Sequence, residues 1–231
     1  MSDLLPAPGP PSAVAVPGLG LTVRGWRGVA ARLDGTLPTA VVALPAFGLR
    51  VPRGTRLDPP SLADRLVERL RDLATGPVVL CGHSASCQVV AEAARRHPAA
   101  VRGLVLVGPT TDPRAPTWPS LAGRWLRTAA HEDPRRVPGI VGQYVATRLS
   151  GFGRTMDAAR RHDLRAALAG SRVPVLLVRG PHDRLAPAAW LAELAAVRAG
   201  ITVVTTAHGA HMVPLTHPDE LAGVCREQFP G

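Results

Sequence analysis

A short apolar run, Pro77-Val78-Val79-Leu80-Cys81, is joined to the helical pattern Cys87-Gln88-Val89-Val90-Ala91-Glu92-Ala93-Ala94 by only five residues, Gly82-His83-Ser84-Ala85-Ser86. Four of those five are small. A strand that turns into a helix over so few residues leaves no room for bulk, and it lifts the serine hydroxyl clear of the backbone. The N-terminus of the following helix favours negative charge developing beside it. The usual pattern for such a turn is G-x-S-x-G. Here Ser86 stands in place of the last glycine.

The rest of the chain repeats the strand-then-helix rhythm. Strand-like runs fall at 12–16, 39–44, 77–81, 103–107, 174–179 and 201–205. Helical patterns occur at 26–33, 61–73, 87–96, 187–199 and 219–229. In the second of these, Ser61-Leu62-Ala63-Asp64 reads as a capping box with Asp in place of Glu. Strands alternating with helices predict a doubly wound, mostly parallel sheet. Residues 1–11, rich in Pro, Gly and Ala, read as a loose tail.

Two further loops carry polar residues just past predicted strands. After Pro174-Val175-Leu176-Leu177-Val178 comes Arg179-Gly180-Pro181-His182-Asp183-Arg184-Leu185-Ala186-Pro187. After Ile201–Thr206 comes Ala207-His208-Gly209-Ala210-His211-Met212. Serine, aspartate and histidine thus follow one another in chain order, each at the carboxyl end of a strand. Open parallel sheets gather their function at that edge.

With these three loops the chain resembles the α/β-hydrolase superfamily, of the lidded, nucleophile-elbow type, over nearly its whole length. The resemblance implies a shortened, mostly parallel sheet of about six strands, its two customary early strands missing. The edge so exposed is open to cover by the tail or by a second subunit, which makes a homodimer an expectation. Residues 12–108 and 173–231 would form the core. The stretch 109–172, with helices near 120–130, 134–149 and 153–169, would be a lid.

The resemblance also implies roles. Ser84 would be the nucleophile, His211 the general base and Asp183 the acid that orients it. His208 competes for the base, but Gly209-Ala210-His211-Met212-Val213 before His217-Pro218-Asp219-Glu220 fits the family pattern better at His211. His217 would pack or cap before the last helix. Backbone N–H groups of Ala85 and of Leu19, in Pro17-Gly18-Leu19-Gly20, would form the oxyanion hole. Pro45-Ala46-Phe47-Gly48 is a second candidate for that loop. His83, Trp118, Trp125, Tyr144 and Met212 are expected near the substrate pocket. Arg124, Arg127, Arg148 and Arg154 suggest a carboxylated substrate.

Net charge is +10, and all 27 basic residues are arginines spread along the chain without a basic tail. With only 3% aromatic residues, this argues against nucleic-acid binding. No apolar stretch approaches a bilayer span of roughly 18 residues, and the N-terminus lacks the pattern of a secretory signal. Three cysteines, Cys81, Cys87 and Cys225, suit free thiols in a reducing cytoplasm. No cofactor, metal or membrane partner is expected. The expected function is hydrolysis of an ester, thioester or carbon–carbon acyl bond of a small to medium apolar substrate. The alternatives are a lyase, cyclase or acyl transferase of specialised metabolism on the same fold, and a binding protein with a relict triad.

Overall fold

In the computed structural model, which describes residues 3–149 and 151–230, the elements run in the following order. Strand β1 (Leu4–Leu5) and β2 (Ala13–Val16) precede helix α1 (Arg27–Leu33) and β3 (Thr39–Val42). A tight pair, β4 (Leu44–Pro45) and β5 (Gly48–Leu49), leads to α2 (Pro59–Leu73), β6 (Val78–His83) and α3 (Ser86–Arg96). Strand β7 (Val101–Val107) is followed by four helices: α4 (Trp118–Ala129), α5 (Val137–Thr147), α6 (Phe152–Arg161) and α7 (Leu164–Ala169). Then come β8 (Val175–Arg179), α8 (Ala188–Ala195), β9 (Ile201–Thr205), α9 (Val213–Thr216) and α10 (Pro218–Gln228).

Seven strands form one sheet in the order β1-β3-β2-β6-β7-β8-β9. All neighbours are parallel except β1, which runs antiparallel to β3 with Leu4 opposite Val42 and Leu5 opposite Val41. This corrects the expectation of a loose tail over 1–11: part of it supplies a seventh strand and covers the edge left by the shortened sheet. The backbone bond from Ala43 N–H to the Asp3 carbonyl, 2.9 Å, continues that pairing.

The pleat sorts side chains to two cores. Val14, Leu80, Leu104, Leu106 and Leu177 face α2, α3, α7 and α8, where Leu62, Leu66, Val90, Leu168 and Trp190 meet them. Ala13, Val79, Val105 and Val178 face α1 and α10, against Trp26, Leu33, Leu221 and Phe229. Cys81 and Cys225 are buried in that second core and Cys87 in the first, and all three thiols are free. Burial pushes each thiol up, that of Cys225 to about 12.

Two local readings change. The cap of α2 is Asp58, whose carboxylate accepts from Ser61 N–H at 3.0 Å, so the helix starts two residues before the expected Ser61. The helix expected over 153–169 is two, because Asp163 caps α7 by accepting from the N–H groups of Arg165 and Ala166. Among the described residues no helix is long and apolar enough to cross a membrane.

Candidate active site

Ser84 sits at the turn between β6 and α3 with φ +57, the left-handed region that non-glycine residues seldom occupy. Its N–H donates to the Val107 carbonyl at 2.9 Å, which ties the turn to the end of β7. Gly82 is required by close approach: a Cβ there would lie 2.8 Å from Cys87 Cα and 2.9 Å from its nitrogen. No such demand applies at Ser86. Its buried hydroxyl accepts from His83 N–H at 2.8 Å and has the Val16 and His83 carbonyls within 3.0 and 2.9 Å. The serine that breaks the usual glycine pattern thus laces the turn to the end of β2.

Asp183 lies beyond β8 and is fully buried. One carboxylate oxygen accepts from the N–H groups of Leu185 and Ala186 at 2.9 and 3.0 Å. The other is 2.8 Å from Nδ1 of the buried His211. Burial alone would raise the Asp183 pKa, yet the adjacent His211 and the two N–H donors hold it below the usual carboxylate range. Burial likewise disfavours a charged His211, but the charge and hydrogen bond of Asp183, with the charge of Glu132, leave its pKa raised. With Asp183 ionised, Nδ1 carries a proton and Nε2 keeps its lone pair. Gly108 makes room for the pair: a Cβ there would fall 2.9 Å from the His211 ring and 3.0 Å from Asp183 Oδ2.

The neighbouring histidines, His208 among them, have partners of their own. His208 is exposed and pairs with Glu220 at 2.8 Å. His217 stacks on His208 and bonds Thr216 Oγ1. His83 is buried, and its Nε2–H donates to the His211 carbonyl at 3.0 Å. Burial, helped by nearby His211, pushes its pKa down to about 3, so it stays neutral.

A cavity of about 370 Å³ opens onto these groups. Its floor is Gly18, Leu19, Leu21, His83, Ser84, Thr110, Thr111, Leu185, His211 and Met212. The helical insertion supplies the remaining walls: Trp118, Leu121, Ala122, Trp125 and Leu126 from α4, Tyr144 from α5, and Phe152 and Met156 from α6. Leu19 therefore reaches the cavity, as do all five residues expected near a pocket. Ala85 lies buried directly after Ser84, at the N-terminus of α3. The second loop candidate, around Ala46 and Phe47, is packed in the core, and the Ala46 carbonyl accepts from Gly20 N–H at 2.9 Å. It buttresses the Gly18–Gly20 loop from behind.

None of the four arginines lines the cavity. Arg124 pairs with the buried Asp112, and Arg154 donates to the Thr55 carbonyl at 2.9 Å. Arg127 and Arg148 are exposed.

Sequence reasoning missed two supports. Arg179, the last residue of β8, is buried, and its guanidinium donates to the carbonyls of Ala186, Asp183 and Pro181 at 2.9, 3.0 and 3.2 Å. An arginine closing an apolar strand just before the acid loop was the available signal. Glu132, between α4 and α5, accepts through Oε1 from the N–H groups of His211 and Met212 at 2.7 and 2.9 Å. No local pattern marks it, because its partners lie some 80 residues away.

Comparison with known proteins identifies the fold that carries these loops. The Alpha/beta hydrolase family model matches residues 13–224. A pimeloyl-[acyl-carrier protein] methyl ester esterase of Aromatoleum aromaticum is 29% identical, over 92% of this chain and 95% of its own. A hydrolase from Oleispira antarctica superposes with a TM-score of 0.83 at 14% identity, covering 98% of this chain and 93% of that one. The enol-lactonase of Burkholderia xenovorans LB400 does so with a TM-score of 0.77 at 19% identity, over 97% and 94%. From the parallel sheet, the serine turn and the family match across nearly all of its length, the chain belongs to the alpha/beta hydrolase family.

Proposed function

We propose that this enzyme is a serine hydrolase that cleaves an ester or thioester of a small to medium apolar acyl group. The observation that carries the reading is one cavity holding both Ser84, in strained left-handed backbone, and His211, whose Nδ1 is 2.8 Å from buried Asp183. His211 Nε2 takes the Ser84 Oγ proton as Oγ attacks the acyl carbon. The carbonyl electron pair moves to oxygen, where the N–H groups of Leu19 and Ala85 receive it. Collapse expels the alcohol or thiol, protonated by the imidazolium. Water, deprotonated by the same histidine, then releases the acid from the acyl-enzyme. The helical stretch 109–172 acts as a lid over this chemistry.

The walls select the substrate. Four aromatic rings, two methionines and several leucines line a space near the small end of ligand sites, which span roughly 300–1,000 Å³. No carboxylate-binding arginine faces it, so the acyl group is uncharged. A second reading has its own support: walls this apolar disfavour water, which suits elimination, cyclisation or transfer of the acyl group. Labelled water separates the two, since hydrolysis alone places the label in the acid product.

A fluorophosphonate tests the main reading. A single adduct on the wild type, absent from Ser84→Ala, together with loss of ester turnover in that variant, is the expected result. Unchanged turnover in Ser84→Ala would overturn it.

A further inference from the structure

The junction between α4 and α5 is fastened to both loops that carry the acid and the base. Thr128 Oγ1 accepts from Arg184 N–H at 3.0 Å, beside Asp183. His131 stacks on His182 with ring centroids 4.6 Å apart and planes 13° from parallel. Glu132 completes the set with its two bonds to the His211 and Met212 backbone, while its Oε2 is buried without a partner. A carboxylate receiving two charge-assisted bonds fixes a backbone more firmly than a neutral acceptor does.

We infer that Glu132 is a positioning residue for the proposed base: it holds the His211 backbone from the helical insertion and adds a second negative charge beside the imidazolium. This rests on the serine-hydrolase reading of the site. The geometry gives Glu132 two separable contributions. One is mechanical, since the loop beyond β9 has an acceptor from the insertion at the very residue that must face Ser84. The other is electrostatic. The groups facing Glu132 are His211 and its neighbour Asp183, with the Tyr144 phenol nearby on α5. Those around His211 are Asp183, Glu132 and neutral His83. Burial raises the Glu132 pKa, and the two backbone donors act against that rise. While Glu132 is ionised it favours the imidazolium, and its loss lowers the His211 pKa.

Two variants separate these contributions. Glu132→Gln retains an oxygen acceptor and loses the charge; Glu132→Ala loses both. With an activated hexanoyl ester, Glu132→Ala is expected to lower kcat about 30-fold with KM within about twofold, as expected for lost orientation. Glu132→Gln is expected to recover most of that loss and to move the acid limb of kcat/KM down by about half a pH unit. A folded Glu132→Ala with wild-type kcat, or with raised KM alone, would overturn the inference. Should Glu132→Ala not fold, Glu132→Gln decides: a shifted acid limb supports the inference and an unmoved one overturns it. Titrating His211 by NMR with nitrogen-labelled histidine keeps the two readings apart. A lowered His211 pKa in Glu132→Gln supports the placement even if Ser84 takes no fluorophosphonate, in which case the hydrolase reading alone has failed.

Discussion

The carboxyl edge of the sheet and the helical insertion face each other across one cavity, but they are built by different rules. On the sheet side, Asp183, His211 and Ser84 are set in backbone held by strand ends, a buried arginine and close-packed glycines. On the insertion side, Trp118 and Trp125 line the same cavity yet remain 43% and 47% exposed. On the first side Asp183 and His211 are buried and tied by hydrogen bonds from several elements. The second has apolar area and looser constraint. On the proposed reading the difference assigns the chemistry to the sheet edge, with Glu132 as its one support from the insertion, and the choice of substrate to the cavity walls of the insertion, so that substitutions in the edge and in the walls should fail in different kinetic parameters.

The sharpest break of that contrast lies at the buried pair. His211→Ala and Asp183→Asn should each lower kcat by about 10⁴-fold, with KM little changed. The acid limb of wild-type kcat/KM sharpens it further. The His211 pKa is raised above 6.5, and the base works only when neutral. Activity therefore rises with pH through a value above 6.5 and is lost below it. A limb below 6.5 in the pH–rate profile would mean that Asp183 does not hold the imidazolium as the geometry requires.

Next in size is Arg179. Replacing it by Met leaves the Ala186, Asp183 and Pro181 carbonyls without their donor in a buried loop. The expected loss is about 3 kcal/mol of folding stability, read from denaturant unfolding. A Lys at that position should recover little, because one ammonium cannot match the guanidinium fork. If Met at 179 left stability intact, the sheet side would be no more constrained than the insertion.

At the cavity wall of the insertion the expected effect is smaller and of another kind. Trp125→Ala should raise KM about tenfold for the longest apolar acyl esters and leave kcat within about threefold, since truncating a pocket wall removes binding made alike in ground and transition states. Steady-state kinetics over a series of acyl lengths measures it. A fall in kcat alone at Trp125 would move the cavity wall into the chemistry and dissolve the contrast.

The two sides also differ in how well the sequence disclosed them. Strands β6 to β9 were legible within about two residues: β6, β7 and β8 are almost wholly buried and read as apolar runs rich in Val and Leu, while the partly exposed edge strand β9 reads from its β-branched residues. The serine, acid and histidine loops were legible for a related reason, since each follows such a run directly. In the insertion, amphipathic helices gave their number imperfectly: the break at His162–Asp163 depends on a cap and not on any change in hydrophobic period. β1 was invisible because two residues carry no periodicity, and their strand character comes from pairing with β3. Glu132 and Arg179 were hidden because their partners are backbone atoms that a side-chain pattern cannot show.

The smallest effect is expected at Ser86, where the sequence departs from the usual glycine. That departure, together with the shortened core, motivates the relict-triad reading. In the structure the serine instead braces that turn, because its hydroxyl accepts from His83 N–H and reaches the Val16 carbonyl, just before the Gly18–Gly20 loop. Ser86→Gly removes that tie from a buried site and adds backbone freedom to the first turn of α3, with an expected cost of about 1 kcal/mol in stability. Because Gly82, and not residue 86, is the position with no room for a side chain, kcat should hold within about threefold. Thermal unfolding and ester turnover of Ser86→Gly read the two quantities separately. Stability falling while kcat holds would mark Ser86 as a tie between the serine turn and the end of β2. A clear gain in kcat would instead show that the serine impairs the turn, and that this sheet edge tolerates more variation than its packing implies.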